Sequence, residues 1–173
     1  MQLAKIDRNA KIGIIFSNII NWTLNVKNKF LRILIQLLTG IDKRVILPKF
    51  NSETFGNYSK KNLEQINTSA PGFGRKAVIY STCFVNFNKK STGIAALKVL
   101  KKNGVEVQHS YTGCCGMPYL ELADLEKVVE QARKVSQELI TWVEKGYEII
   151  TLTASCGLML KFEWPLLLPD DEK

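Results

Sequence analysis

Lys76-Ala77-Val78-Ile79-Tyr80, running straight into Ser81-Thr82-Cys83, is a short β-prone segment that is apolar without alternation. A strand of that kind is buried on both faces, as in the middle of a parallel sheet. The downstream pattern agrees. Gly93 to Lys102 sets Ile94, Leu97, Val99 and Leu100 at helical intervals and stops at Asn103-Gly104. Val105 and Val107 alternate with polar residues and predict a second strand. Leu120 to Lys145 carries Leu122, Leu125, Val128, Val129, Ala132, Val135, Leu139 and Val143 three and four apart, with Gly146 as its cap. Glu148-Ile149-Ile150-Thr151-Leu152 is a third strand, and Gly157 to Phe162 opens a short helix. Strand–helix–strand–helix–strand predicts an α/β fold, a small parallel sheet with right-handed βαβ crossovers.

Upstream, residues 10–40 predict two amphipathic helices. Ile12, Ile15, Phe16, Ile19, Ile20 and Leu24 recur at helical spacing in the first. Phe30, Leu31, Leu34, Ile35, Leu37 and Leu38 do so in the second, and Gly40 supplies its stop. Pro48 ends regular structure there. Residues 49–75, rich in Asn, Ser, Lys and Gly, have linker composition. The expected organisation is a basic helical segment over 1–48, a linker over 49–75 and a cysteine-bearing domain over 76–173.

The four cysteines acquire positions from this layout. Cys83 follows the first strand, Cys114 and Cys115 the second, and Cys156 the third. Parallel strands present their carboxyl ends on one edge, where α/β folds assemble their sites. Cysteines far apart in sequence are therefore expected to converge.

Four soft thiolates select an iron–sulfur cluster or zinc. Structural zinc usually draws on close cysteine pairs, whereas 30 residues separate Cys83 from Cys114 and 40 separate Cys115 from Cys156. Adjacent Cys114 and Cys115 suit a bulky multi-iron centre better than one tetrahedral ion. Gly93, Gly113, Gly116 and Gly157 offer close backbone approach and N–H donors toward sulfur. Two other readings stay open: a thiol reductase exchanging through Cys114 and Cys115, and a metal-free interaction domain.

Charge and hydropathy narrow the partners. Of a net charge of +8, residues 1–50 hold nine basic against two acidic side chains. No zinc-finger spacing, aromatic RNA-binding signature or dense basic stripe accompanies them, which excludes nucleic acid as the expected partner. The longest uncharged run, Ile12 to Val26, is broken by Ser17, Asn18, Asn21, Thr23 and Asn25 and is too polar to span a bilayer. No cleavage site follows it, so no leader is expected, disulfides are disfavoured and the expected location is cytoplasmic. The helices of residues 1–40, with Lys5, Arg8, Lys11, Lys27, Lys29 and Arg32 beside Phe16 and Trp22, suit either an anionic membrane face or a partner protein.

Ser81-Thr82-Cys83-Phe84-Val85-Asn86, Cys114-Cys115-Gly116-Met117-Pro118 and Ala154-Ser155-Cys156-Gly157-Leu158-Met159-Leu160-Lys161 resemble the CCG, or cysteine-rich, domain family. That domain occurs in the B subunit of heterodisulfide reductase, in glycolate oxidase iron–sulfur subunits and in the C subunit of anaerobic glycerol-3-phosphate dehydrogenase. Gly40-Ile41-Asp42-Lys43-Arg44 with Leu47-Pro48 is similar to the segment ahead of the domain in the last of these. The resemblance implies an iron–sulfur electron-transfer subunit with a 4Fe-4S cluster on Cys83, Cys114, Cys115 and Cys156. A flavin dehydrogenase partner would oxidise glycerol 3-phosphate or a 2-hydroxy acid and pass electrons toward membrane quinone; this chain would do no hydride chemistry itself. Peripheral attachment to the inner membrane face goes with that role. Two departures stand out. Ferredoxin-type motifs and a second CCG domain accompany the domain in the family and are not in this sequence, which suggests a piece of a longer protein. Met159 stands where the heterodisulfide reductase pattern has a further cysteine.

His109, the single histidine, is expected to be a strand-end residue, with a hydrogen bond toward the metal site as the alternative. Lys161 is expected to be solvated and Trp164 packed.

Overall fold

A computed structural model of the chain describes residues 6–62 and 65–169, with side chains from Asn9 onward. Lys5, and the Arg8 side chain, lie outside the described residues.

Three strands form one parallel sheet: β1 (Lys76–Tyr80), β2 (Glu106–Ser110) and β3 (Glu148–Thr151), in the order β2-β1-β3. Tyr80 is opposite both Ser110 and Thr151, so all three strands finish level at one edge. The central strand is apolar on both faces because both are covered. Val78, Ile79 and Tyr80 are completely buried.

The two faces carry separate cores. On the Ile79 side, Leu97 packs from α6 (Lys90–Lys102) and Val85 from α5 (Thr82–Phe87). On the Tyr80 side lies α8 (Leu125–Val143), whose Val128, Ala132, Val135 and Leu139 fall on one stripe at spacings of three and four. The expected α/β fold with a small parallel sheet is the one observed.

Several local expectations need correction. The long helix starts at Leu125, not Leu120. Ala123 has φ +55, which interrupts the helix, and the Asp124 carboxylate then accepts from the Lys127 N–H as the cap. Residues Met117–Leu120 form a separate short turn, α7. Cys83 follows the first strand as expected but already lies inside a helix, α5. Gly157–Phe162 is not one helix either: α9 (Ala154–Leu158) widens into a π-helical turn, Met159–Glu163, before α10 (Trp164–Leu167).

The amino-terminal segment holds three helices instead of two: α1 (Ile6–Ile15), α2 (Ser17–Thr23) and α3 (Lys29–Thr39). Asparagines cause the break before α3. The Asn28 amide donates to the Trp22 carbonyl, and Asn25 Oδ1 accepts from the Lys27 N–H at 3.0 Å. Such side chains offer the backbone an alternative to helix. Gly40 ends α3 in the left-handed region at φ +75, as expected. Helix α1 packs on α5, and the Asn21 amide pairs with both backbone groups of Phe50 at 2.8 Å. The stretch of linker composition contains a helix, α4 (Phe55–Lys61), whose Phe55 is fully buried against Ile79 and Leu97. Among the described residues no helix is long and apolar enough to cross a membrane.

Candidate metal centre

Cys83, Cys114, Cys115 and Cys156 come together at the level carboxyl edge of the sheet, on the Tyr80 face. The Cys83 and Cys114 sulfur atoms are 3.9 Å apart, and those of Cys115 and Cys156 are 3.2 Å apart. A hydrogen bond between the Cys114 and Cys115 thiols joins the two pairs. None of the four is in a disulfide. Cys83 is half-buried, and the other three are buried with Tyr80, Val128, Met159 and Trp164.

Each sulfur is placed by a device at the end of its strand. After β1 the chain turns through Thr82, a β-branched residue at φ +59, a strained conformation costing about 1–3 kcal/mol. Thr82 Oγ1 lies 3.1 Å from Thr153 Oγ1, which ties the exit of β1 to the exit of β3. After β2, Gly116 adopts φ +91, and a Cβ there would meet the Val128 Cα at 3.4 Å. This turn aims the Gly116 N–H at the Cys114 sulfur and the Met117 N–H at the Cys115 sulfur. The Trp164 indole donates to the Cys115 carbonyl at 3.0 Å, and the Tyr80 hydroxyl donates to the Gly113 carbonyl at 2.7 Å. Gly157 sits close under Thr151. Gly93, expected beside the sulfurs, lies on the opposite face, where a Cβ would strike the Phe55 ring at 2.6 Å.

The electrostatics are those of crowded thiols. Cys114 is pushed up to about 12, first by its hydrogen bond with Cys115 and then by burial, against a lowering contact with Cys83. Cys115 also rises to about 12. Its bond with Cys114 lowers it, but the bond with Cys156 and burial outweigh that. The Tyr80 phenol is raised far above its ordinary range by burial and then by the negative potential of all four cysteines. Cys114 and Cys115 are therefore neutral in this arrangement, and holding them as thiolates would need a cationic centre beside them.

Four soft sulfur donors fit an iron–sulfur cluster or zinc by their chemistry. The contacts run as a row, Cys83 to Cys114 to Cys115 to Cys156. The 3.2 Å between Cys115 and Cys156 is shorter than the roughly 3.8 Å between sulfur atoms on tetrahedral zinc, so these two thiols must part to hold any metal. Among the described residues no three or more His, Cys, Asp or Glu side chains surround one ion position. Thr112 Oγ1, two residues before Cys114, is buried with no hydrogen-bond partner, a hydroxyl donor left over in the same loop.

Sequence reasoning located the cysteines but missed Tyr80, Thr82 and the backbone donor of Met117. Lys161 is exposed and Trp164 buried, as expected. His109 points away from the sulfurs. Its Nε2 pairs with Ser81 Oγ at 3.0 Å, its ring meets Phe55 edge-on, and Gly56 leaves it room. Burial, and secondarily Lys60, lowers its pKa to about 4. An unfolded histidine titrates near 6.5, so acidification protonates the unfolded chain first. Stability present above about pH 6.5 is then lost as the pH falls toward 4, by at most about 3 kcal/mol. Urea unfolding at pH 7 and pH 4.5 checks this: His109→Gln is expected to lose less stability between the two than the parent, and equal losses would remove His109 as the cause.

Residues 77–161 match the family model described as CCG, the cysteine-rich domain, and this segment of the chain belongs to that family. Across its whole length the chain is similar to the C subunit of the anaerobic glycerol-3-phosphate dehydrogenase of Escherichia coli (strain K12). The identity is 27% over 173 residues, covering 99% of this chain and 42% of that protein. It is 31% identical over 94 residues to the B subunit of the fumarate reductase (CoM/CoB) of Methanothermobacter marburgensis, covering 53% of this chain and 18% of that protein. It is 31% identical over 99 residues to lactate utilization protein A of Macrococcus caseolyticus, covering 57% and 38%. The chain thus spans well under half the length of each of these relatives. No solved structure matches it with significance.

Proposed function

We propose that this chain is an electron-transfer subunit whose Cys83, Cys114, Cys115 and Cys156 hold an iron–sulfur cluster of the 4Fe-4S type. The observation that carries this reading is the meeting of four thiols, from three separate strand ends, beside one buried tyrosine. A bound iron–sulfur cluster supplies one-electron transfer. The chain's own residues do the rest. Gly116 and Met117 direct N–H groups at sulfur and favour its anionic form. Tyr80, Val128, Met159 and Trp164 exclude water from three of the four ligands.

The relatives named as a glycerol-3-phosphate dehydrogenase subunit and as a lactate utilization protein support a flavin dehydrogenase partner acting on glycerol 3-phosphate or a 2-hydroxy acid. Electrons would leave toward membrane quinone, with the chain peripheral on the inner face of the cell membrane. In support of a surface role, Phe30 and Leu37 in α3 are 81% and 78% exposed, on the segment that carries most of the net positive charge. A thiol reductase using Cys114 and Cys115 requires an accessible thiolate of low pKa, and these thiols are buried and raised.

Anaerobic purification followed by iron and acid-labile sulfide analysis tests the proposal. The expected protein is brown, absorbs broadly near ~400 nm and holds iron and sulfide in similar amounts. One equivalent of zinc, or no metal after reconstitution with iron and sulfide, would overturn it.

A further inference from the structure

Arg32 in α3 is 1% exposed, although a guanidinium is the most strongly donating side chain a protein has. Its donors can be accounted for one by one. Nε donates to the Lys43 carbonyl at 3.3 Å, and Nη2 donates to the Asp42 carbonyl at 3.1 Å and the Val45 carbonyl at 2.8 Å. These bonds fold residues 42–45 back over the helix. Nη1 is buried with no hydrogen-bond partner, so two N–H groups of a charged fork are left without an acceptor.

Arg32 also lines a cavity of about 360 Å³ together with Val26, Lys29, Ile33, Lys43 and Arg44. Four of these six residues are cationic and none is acidic. The Asp42 carboxylate, beside Lys43 in the chain, is already engaged: Arg44 grips it through Nε at 3.0 Å and Nη2 at 2.9 Å, and its pKa is held down to about 2. A cavity with this charge and a spare buried fork suits an oxyanion. Guanidinium groups bind phosphate through paired parallel N–H bonds, and flanking lysines add point charge.

We propose that the Lys29–Arg32–Lys43–Arg44 cavity binds a phosphate group, with Arg32 Nη1 as its buried anchor. Two sources share that chemistry: a free phosphate monoester, and the phosphodiester of a lipid headgroup in the bilayer next to which Phe30 and Leu37 would lie. The inference extends the membrane part of the proposed function and is independent of the cysteines, so the presence or absence of iron does not bear on it.

The test uses the full chain in two arms, calorimetric titration with inorganic phosphate and sedimentation with vesicles of phosphatidylcholine containing or lacking phosphatidylglycerol. The expected result is saturable binding in at least one arm that weakens about tenfold or more in Arg32→Lys, which keeps the charge and loses the fork. Because Arg32 also holds residues 42–45, the double variant Lys29→Gln/Lys43→Gln provides a second measure. Both of its positions are exposed, and it should weaken binding by about fivefold or more with an unchanged circular dichroism spectrum. Binding of phosphate alone assigns a free monoester. Binding of the anionic vesicles assigns a headgroup. No binding in either arm, or binding equal in parent and both variants, would overturn the proposal.

Discussion

Cys156→Ser and Cys83→Ser, made separately, are each expected to lower the iron retained through gel filtration by about tenfold or more. The two residues are 73 positions apart and follow different strands. They share nothing but the edge at which β1 and β3 finish level. Cys156 touches the Cys115 end of the sulfur row and Cys83 the Cys114 end. A centre needing both ends loses its hold when either goes. A site made of Cys114 and Cys115 alone would tolerate both changes. Serine keeps the size and leaves a hydroxyl in a thiol's place, so the fold is expected to survive, as circular dichroism would show. Full iron in either variant would remove that residue from the ligand set.

The part of this site that sequence makes legible is the part set by strand ends. An apolar run without alternation means a central parallel strand, and a cysteine just past each of the three strands places their exits at one edge. Residue pattern carries that much, because burial on two faces leaves a compositional trace. The remaining geometry leaves none. Thr82 at φ +59 sits in a conformation its own type disfavours, so propensity points away from it. Tyr80 reads as one more apolar strand residue, and only the pairing of β1 with both neighbours puts its ring among all four thiols. The row order of the sulfurs, with Cys115 on Cys156 and Cys114 on Cys83, depends on how the turn ending at Gly116 seats two adjacent residues. Spacing along the chain does not encode that. Helix α4 was hidden for another reason. Its Phe-Gly-Asn-Tyr-Ser-Lys-Lys composition is mostly polar, and only Phe55, with the partly buried Tyr58, reaches the core.

Phe55→Ala is accordingly expected to cost about 3–5 kcal/mol of stability, although it falls in a stretch with linker composition. Phe55 is fully buried, meets His109 edge-on with ring centroids 5.3 Å apart, and sits where Gly93 leaves room for it. Its contacts with Ile79, Val85 and Leu97 form the smaller of the two cores. Removing the ring leaves a cavity that cannot close cheaply, because Ile79 is fixed in the central strand and Gly93 has no side chain to move in. Thr54 supports the ring's position by capping α4, its hydroxyl accepting from the Asn57 N–H at 3.0 Å. Urea unfolding of the full chain measures the effect directly, with Phe73→Ala as the reference within the same stretch, since Phe73 is 58% exposed and is expected to change stability by less than about 1 kcal/mol. The comparison also decides where the domain begins. A large loss at Phe55 with little at Phe73 makes α4 part of the cysteine-bearing domain, which then starts well before residue 76. Equal, small losses would leave residues 49–75 a linker, with the sheet able to hold its sulfur-bearing edge without them.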